Sequence, residues 1–290
     1  MKLLQFSRVY IIFSWLATLL VLGAVLLLVG FLFWRGWQTL NLQLFFGEAP
    51  LWLAVKGAVP VWDGLWPACI GTLALVCLAA LIAVPLGVTS GIYLAQFAQG
   101  APKRVVSLGI NILAGIPSIL MGLFGFALIL FLRQTILPAA NTGLLLAAVC
   151  LTLLVLPYLI LATQTSLEGL PDSLKMAGLG LGLSNWQLTR YVLLPAASRG
   201  ILSGVILTLG RTAEDTAVIL LTGVVANAGI PQHLTDKFEA LPFTIYYLAA
   251  EHRTAAELDR GFGAALVLLL ITTVLLGLAN LLHRLGTKHG

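Results

Sequence analysis

Val9 to Trp34 reads VYIIFSWLATLLVLGAVLLLVGFLFW, 26 consecutive residues without a charge. About 20 apolar residues are enough to cross a hydrocarbon core of about 30 Å, so this stretch sets the solvent in which the chain folds. Lys2 and Arg8 precede it, but the run far exceeds the roughly 7–15 residues of a secretory signal core. No small-residue cleavage site follows, so it reads as an uncleaved first membrane span. The rest of the 290 residues agrees: 60% are hydrophobic, 9% are charged, and the mean hydropathy is +1.03. A soluble domain is nearer about 45–50% apolar and about 25% charged, and could not hide this much apolar surface.

Using the charges as boundaries, five more spans follow at about Trp66–Phe97, Val105–Leu132, about Asn141–Thr165, Gly200 to about Val225, and Gly261–Leu282. In lipid only helices and closed barrels satisfy their own backbone, and these runs are longer than the roughly 9–11 residues of a barrel strand, so all six are expected as helices. Placing the N-terminus in the cytoplasm puts nine bases inside (Lys2, Arg8, Lys103, Arg104, Lys175, Arg190, Arg199, Arg284 and Lys288). Six lie outside (Arg35, Lys56, Arg133, Lys237, Arg253 and Arg260), and Asp63 is among the outer acids. The excess favours both termini in the cytoplasm, and it accounts for the net charge of +5 without nucleic acid as a partner. Trp34, Trp37, Trp62 and Trp66 bracket the first outer loop, where indole rings favour the headgroup level. Two loops are long, an inner one from about Ser166 to Arg199 and an outer one from about Ala226 to Arg260.

Charge inside the fifth span is the feature that points to function. Arg211, Glu214 and Asp215 interrupt an apolar run, and ionised groups at membrane depth are expensive enough that they normally face a bundle interior or a water path. A spacing of i, i+3, i+4 on a continuous helix puts both carboxylates on the arginine face, within pairing reach. In one reading Arg211 offers a passing anion a fork of donors while the acids keep binding weak; in the other the three form a closed salt bridge that locks helices together. A second irregularity is Gly115-Ile116-Pro117-Ser118. Pro117 frees a carbonyl one turn back, which marks either a broken helix covered by a cavity or an ordinary kink in a packed one. Pro85 and Pro157 pose the same choice.

The inner segment from Leu170 to Leu188 reads as two short helices joined at Gly182, with Asp172 or Ser173 capping the first, Ser184 the second, and Pro195 stopping the chain before the next span. Gly178, Gly180 and Gly182 weaken the first helix by roughly 1 kcal/mol each, so it is expected either to dock on a cytoplasmic partner or to lie on the headgroups. Catalytic chemistry has no visible carrier. Cys69, Cys77 and Cys150 lie in apolar runs without metal spacing, and His233, His252, His283 and His289 are scattered in loops and tail. Glu214 and Asp215, adjacent on a helix, point about 100° apart and are poorly placed to share one substrate.

Leu170 to Pro195 resembles the cytoplasmic coupling loop of ABC importer permeases, with Gly182 and Leu194-Pro195 at matching positions. Val84-Pro85-Leu86-Gly87-Val88 with Ile92-Tyr93-Leu94, and Ala114-Gly115-Ile116-Pro117-Ser118-Ile119 with Gly122-Leu123-Phe124-Gly125, resemble the PstA and PstC branch of that family. Arg211 followed by an acid and Thr216-Ala217 is similar to the branch's Arg-x-x-Gly-Glu-Thr. The resemblance runs over about residues 65–225, and chain length with a short N-terminus favours the PstA side. It implies an all-α integral membrane protein with six transmembrane helices in the type I importer permease fold. Residues 1–65 would form the first helix and outer loop, 66–283 the permease domain with its coupling loop at 166–199, and 284–290 a cytoplasmic tail.

The same resemblance implies a permease subunit moving inorganic phosphate across the bacterial inner membrane. Arg211, Glu214, Asp215, Pro117 and Ser118 would line the substrate pathway. Ser173, Lys175, Met176, Ala177, Gly178, Gly182 and Trp186 would couple to the ATPase. The implied partners are a PstC-like permease in a heterodimer, two ATPase subunits and a periplasmic phosphate-binding protein, with lipid around them. This chain would bind no cofactor, ATP and Mg belonging to the ATPase, and the sequence indeed has no Gly-x-x-x-x-Gly-Lys-Ser/Thr loop. Met176 stands where the coupling loop usually has Glu, Gly178 where it has the second of two alanines, and Glu214-Asp215 where the branch has Gly-Glu. These departures leave another oxyanion, or a transport-inactive scaffold or sensor subunit, as alternatives.

Overall fold

The computed structural model describes residues 2–286 apart from 58, 60 and 63, with side chains from 10 to 281. Asp63, Lys288 and His289, the side chains of Lys2, Arg8, His283 and Arg284, and residues 287–290 of the tail lie outside the described residues. In chain order the helices are α1 (Lys2–Trp37), α2 (Leu42–Phe46), α3 (Leu51–Val55), α4 (Trp66–Gln96), α5 (Gly100–Ala114), α6 (Ser118–Thr135) and α7 (Leu144–Glu168). They continue with α8 (Asp172–Gly180), α9 (Asn185–Leu188), a π-helical turn (Thr189–Leu193), α10 (Leu194–Glu214), α11 (Ala217–Thr222), α12 (Leu241–Glu251) and α13 (Ala255–Gly286). Among the described residues six stretches are long and apolar enough to cross a membrane: Tyr10–Trp37, Trp66–Gln96, Ser118–Thr135, Leu144–Glu168, Asn185–Glu214 and Ala255–Leu281.

The centre is the pair α4 and α7. Gly87 faces Leu159 and Gly91 faces Thr163, while the Thr152 hydroxyl donates to the Ala79 carbonyl at 3.2 Å. The constant offset means the two helices run parallel. Their close approach depends on the glycines, because a Cβ at Gly91 would meet the Ile160 carbonyl oxygen at 2.8 Å. α10 returns antiparallel along α7, with Gly204 against Ala162. Leu75, Ala79, Leu151 and Leu154 from the central pair form one buried cluster with Val218, Ile219 and Phe238. α1 touches the body near one end, where Phe31 meets Phe262 edge-on at 5.5 Å and Arg35 pairs with Asp259 at 3.2 Å.

Residues 223–240 close the end of the bundle opposite α8 and α9. The first amides of α7, at Leu144 and Leu145, donate to the carbonyls of Asp236 and Leu234 at 3.0 and 2.7 Å, so the loop satisfies the donors that a helix start leaves free. Val224 and Phe238 form a parallel bridge, and the Leu241 amide donates to the Thr72 hydroxyl at 2.9 Å. Glu239 is only 7% exposed, and its carboxylate accepts from the Gly229 amide at 2.9 Å. Burial pushes its pKa up to about 7.

Three expectations need correction. The run from Val105 to Leu132 is not one helix: Gly115, Ile116 and Pro117 divide it into α5 and α6, and only Ser118–Thr135 has the character of a span. Pro195 does not stop the chain. It sits in the first turn of α10, and the preceding π turn, in which the Leu194 amide reaches the Thr189 carbonyl, widens the helix where proline offers no donor, so helix runs on from Asn185 to Glu214. The start of α8 is capped by neither Asp172 nor Ser173; Pro171 occupies the cap position with no side-chain bond, and Asp172 contributes only charge in the first turn.

Candidate functional site

Two helix breaks meet beside the middle of α7. One is the Gly115–Pro117 break. Pro117 has no N–H and Ser118 starts a new helix, so the end of α5 holds carbonyls with no partner in their own helix. An unsatisfied backbone group at membrane depth costs several kcal/mol, of order 2–7. The Ala114 carbonyl is relieved by the Tyr158 hydroxyl, which donates to it at 2.7 Å from mid-α7. The break is therefore a true interruption covered by a neighbouring side chain.

The second break ends α10 at Glu214. Asp215 turns extended, with φ −71° and ψ 121°, and its carboxylate accepts from the Val218 amide at 2.9 Å at the start of α11. α11 lies along the opening turns of α6, with Gly122 facing Ala217 and Val218. The Ser118 hydroxyl interacts with the Asp215 carboxyl across this junction. The i, i+4 relation expected for Arg211 and Asp215 is thus lost, since the helix ends before Asp215 and the acid is spent on the α11 amides. Neither Glu214 nor Asp215 comes within ion-pair distance of Arg211 among the described residues, so the closed salt bridge is absent.

Arg211 instead lies over the Tyr158 ring, its guanidinium carbon 4.2 Å from the ring centroid. This cation–π contact holds the plane of the fork and leaves its N–H donors unused by carboxylates. Arg211 and Glu214 are exposed on an open cavity of about 1110 Å³, walled by Val155 and Tyr158 of α7, Leu207 and Thr208 of α10, and Leu276 and Asn280 of α13. Thr208 and Thr212 bond back to carbonyls one turn earlier at 2.8 and 2.9 Å, so they place no free polar group in the wall. A cation with open donors, one exposed carboxylate and mostly apolar walls can hold a small anion loosely, and none of this supplies a nucleophile. Among the described residues no cluster of His, Cys, Asp and Glu could hold a metal.

The structure brings Arg211, Glu214 and Asp215 together on this cavity, whereas Pro117, exposed, and Ser118, half-buried, are not part of its lining, and Ser118 reaches it only through Asp215. Tyr158 was not among the residues singled out from sequence. Its signal was a lone tyrosine at mid-span, where this side chain normally prefers the membrane interface.

A separate surface forms at the end of the bundle carrying α8 and α9. Gly182, at φ +78°, makes the left-handed turn between them, and Ser184 with Gln187 forms a reciprocal capping box at the start of α9. Gly178 is buried against the tip of the Leu188 side chain, which a larger residue would displace. Ser173 and Ala177 are exposed, and Lys175 lies 3.9 Å from Asp172. Met176 (69% exposed), Leu181 (82%) and Trp186 (59%) present an apolar surface. Lys103 of α5 pairs with Glu168 of α7 at 2.8 Å at this same end.

The family model described as binding-protein-dependent transport system inner membrane component matches residues 87–286. The chain is 32% identical over 222 residues to the phosphate transport system permease protein PstA of Mycobacterium leprae, covering 75% of this chain and 70% of that one. It is 30% identical to the PstA protein of Haemophilus influenzae, covering 88% and 84%. It is 31% identical to the PstC protein of Mesorhizobium japonicum, covering 76% and 73%. Solved structures with a similar fold include a bacterial alginate ABC transporter, with a TM-score of 0.65 at 14% identity over 97% of this chain and 96% of that one. The MetNI methionine ABC transporter gives 0.57 at 23% over 82% and 98%.

Proposed function

The chain belongs to the family of binding-protein-dependent transport system inner membrane components, in its phosphate-permease branch, and from that premise we propose that it is the permease subunit of an ATP-driven importer of inorganic phosphate. The observation that carries the reading is Arg211. Its guanidinium stands in the fifth crossing out of ion-pair contact with a carboxylate, feels the charge of nearby Asp215, lies over the Tyr158 ring and opens to a cavity. A planar fork of donors matches two oxygens of a tetrahedral oxyanion. Glu214, the one acid of the pair not engaged in capping, repels the same anion and keeps the site weak, as conduction requires.

In this reading the cavity opens toward a second, PstC-like permease that completes the path. The apolar surface of Met176, Leu181 and Trp186 docks one of two ATPase subunits, hydrophobic contact replacing the charge that Met176 lacks. ATP and Mg reside in those subunits, and a periplasmic phosphate-binding protein delivers substrate to the end closed by residues 223–240. The complex sits in the inner membrane with both termini of this chain in the cytoplasm, as the nine-to-six distribution of bases supports.

The test is uptake of labelled phosphate by the complex reconstituted in liposomes with its binding protein and ATP. Arg211→Ala is expected to reduce uptake by about 100-fold, the loss of a charge-assisted contact of about 3 kcal/mol, with the complex still assembled. Normal uptake by that variant would remove Arg211 from the pathway. Entry of no phosphate in the unaltered complex would remove the function.

A further inference from the structure

Tyr158 touches the end of α5 and Arg211 through different parts of itself. Its hydroxyl donates to the Ala114 carbonyl at the end of α5, and its ring carries the Arg211 guanidinium 4.2 Å from the centroid. We infer that Tyr158 is a positioning residue that makes the α5 end and Arg211 move as one unit, so that displacement of α5 changes how Arg211 presents its donors to the passing anion.

The geometry of α5 supports a lever. At one end Lys103 pairs with Glu168, the last residue of α7, at 2.8 Å; at the other Ala114 is held by Tyr158 in mid-α7. α5 is therefore pinned to one helix at two points, the first beside the α8–α9 surface and the second beside the cavity. A push at that surface reaches Ala114 along a helix of 15 residues, about 22 Å. Ser118 meets Asp215 and the opening turns of α6 pack on α11, so the two breaks are in contact.

The inference rests on the permease reading, and its test separates the two. Phosphate moved and ATP hydrolysed are measured together in the reconstituted complex for the unaltered chain, Tyr158→Phe and Tyr158→Leu. Phenylalanine keeps the ring under Arg211 and removes only the bond to Ala114. The expected result is about three- to tenfold less phosphate moved per ATP, with the half-saturating phosphate concentration unchanged. Leucine removes both contacts and is expected to raise that concentration at least about threefold as well. Phosphate moved per ATP equal to that of the unaltered chain in both variants overturns the link, as does a fall of both activities in step, which is what simple loss of folded complex would produce. Failure of the unaltered complex to move phosphate strikes the permease reading itself.

Discussion

α4 and α7 carry prolines at mid-span and stay whole, whereas the third and fifth crossings are interrupted, and the contrast separates frame from pathway. Pro157 is buried inside α7, which is pressed against α4 along a glycine-lined seam, and Pro85, itself exposed, lies two residues before Gly87 on that seam; both helices continue past their prolines. Pro117 is exposed and follows Gly115 by two residues, and there the helix parts. The fifth crossing parts without any proline, because Asp215 gives the α11 amides a better partner than a continuing helix offers. A missing hydrogen bond alone does not break a membrane helix; what decides is whether packing or a side chain takes up the freed groups.

Substitutions on the two sides of this contrast should therefore fail differently. The largest effect expected is the transport loss of Arg211→Ala, which should leave the thermal unfolding midpoint of the purified complex in place. Gly91→Leu is its counterpart in the frame. Its side chain would run into Thr163 and the Ile160 carbonyl, and overpacking of this kind costs about 1–3 kcal/mol. A lowered unfolding midpoint, with phosphate moved per ATP unchanged in the surviving complex, is the expected outcome. Transport lost without loss of stability would show that the seam moves during the cycle and would erase the distinction drawn here.

The smallest effect concerns the closed end. Glu239 holds its proton more tightly in the folded loop than in an unfolded chain, its pKa rising from 4.5 to about 7 through burial. The folded form therefore binds more protons between those values, and stability of the 223–240 closure declines as pH rises through that window and is level above it. Limited proteolysis of the loop should be faster at pH 8 than at pH 5. Glu239→Gln should flatten the difference, and an unchanged pH dependence in that variant would assign it to another group.

The membrane class and the six spans were legible because hydropathy sums over a window and charges mark its edges. The same summing hid the breaks. A window across Val105–Leu132 registers Gly115-Ile116-Pro117 as apolar residues and gives no sign that Tyr158, from a distant part of the chain, relieves the carbonyl that the break exposes. Arg211, Glu214 and Asp215 stood out as costly charges. Helical spacing from Arg211 does not carry over to Asp215, because the helix ends one residue before it, and Asp215, three residues before Val218, carries the sequence mark of a new cap. Pro195 reads as a stop under a rule that concerns regular α-helix, and the π turn before it relieves the missing donor. The turn at Gly182 and the Ser184 cap follow from local residues alone and are legible in the sequence, and the structure adds the reciprocal bond from Gln187.

The central claim is that the cavity beside Arg211 is a path for water and ions. Leu207 stands one turn before Arg211 on its wall, exposed to the cavity. In a chain with Cys69, Cys77 and Cys150 replaced by serine, Leu207→Cys in the assembled complex should react with a charged, membrane-impermeant thiol reagent, and ATP should change the rate. No reaction in any nucleotide state would mean that lipid or dry protein fills the cavity, and the pathway would have to lie elsewhere.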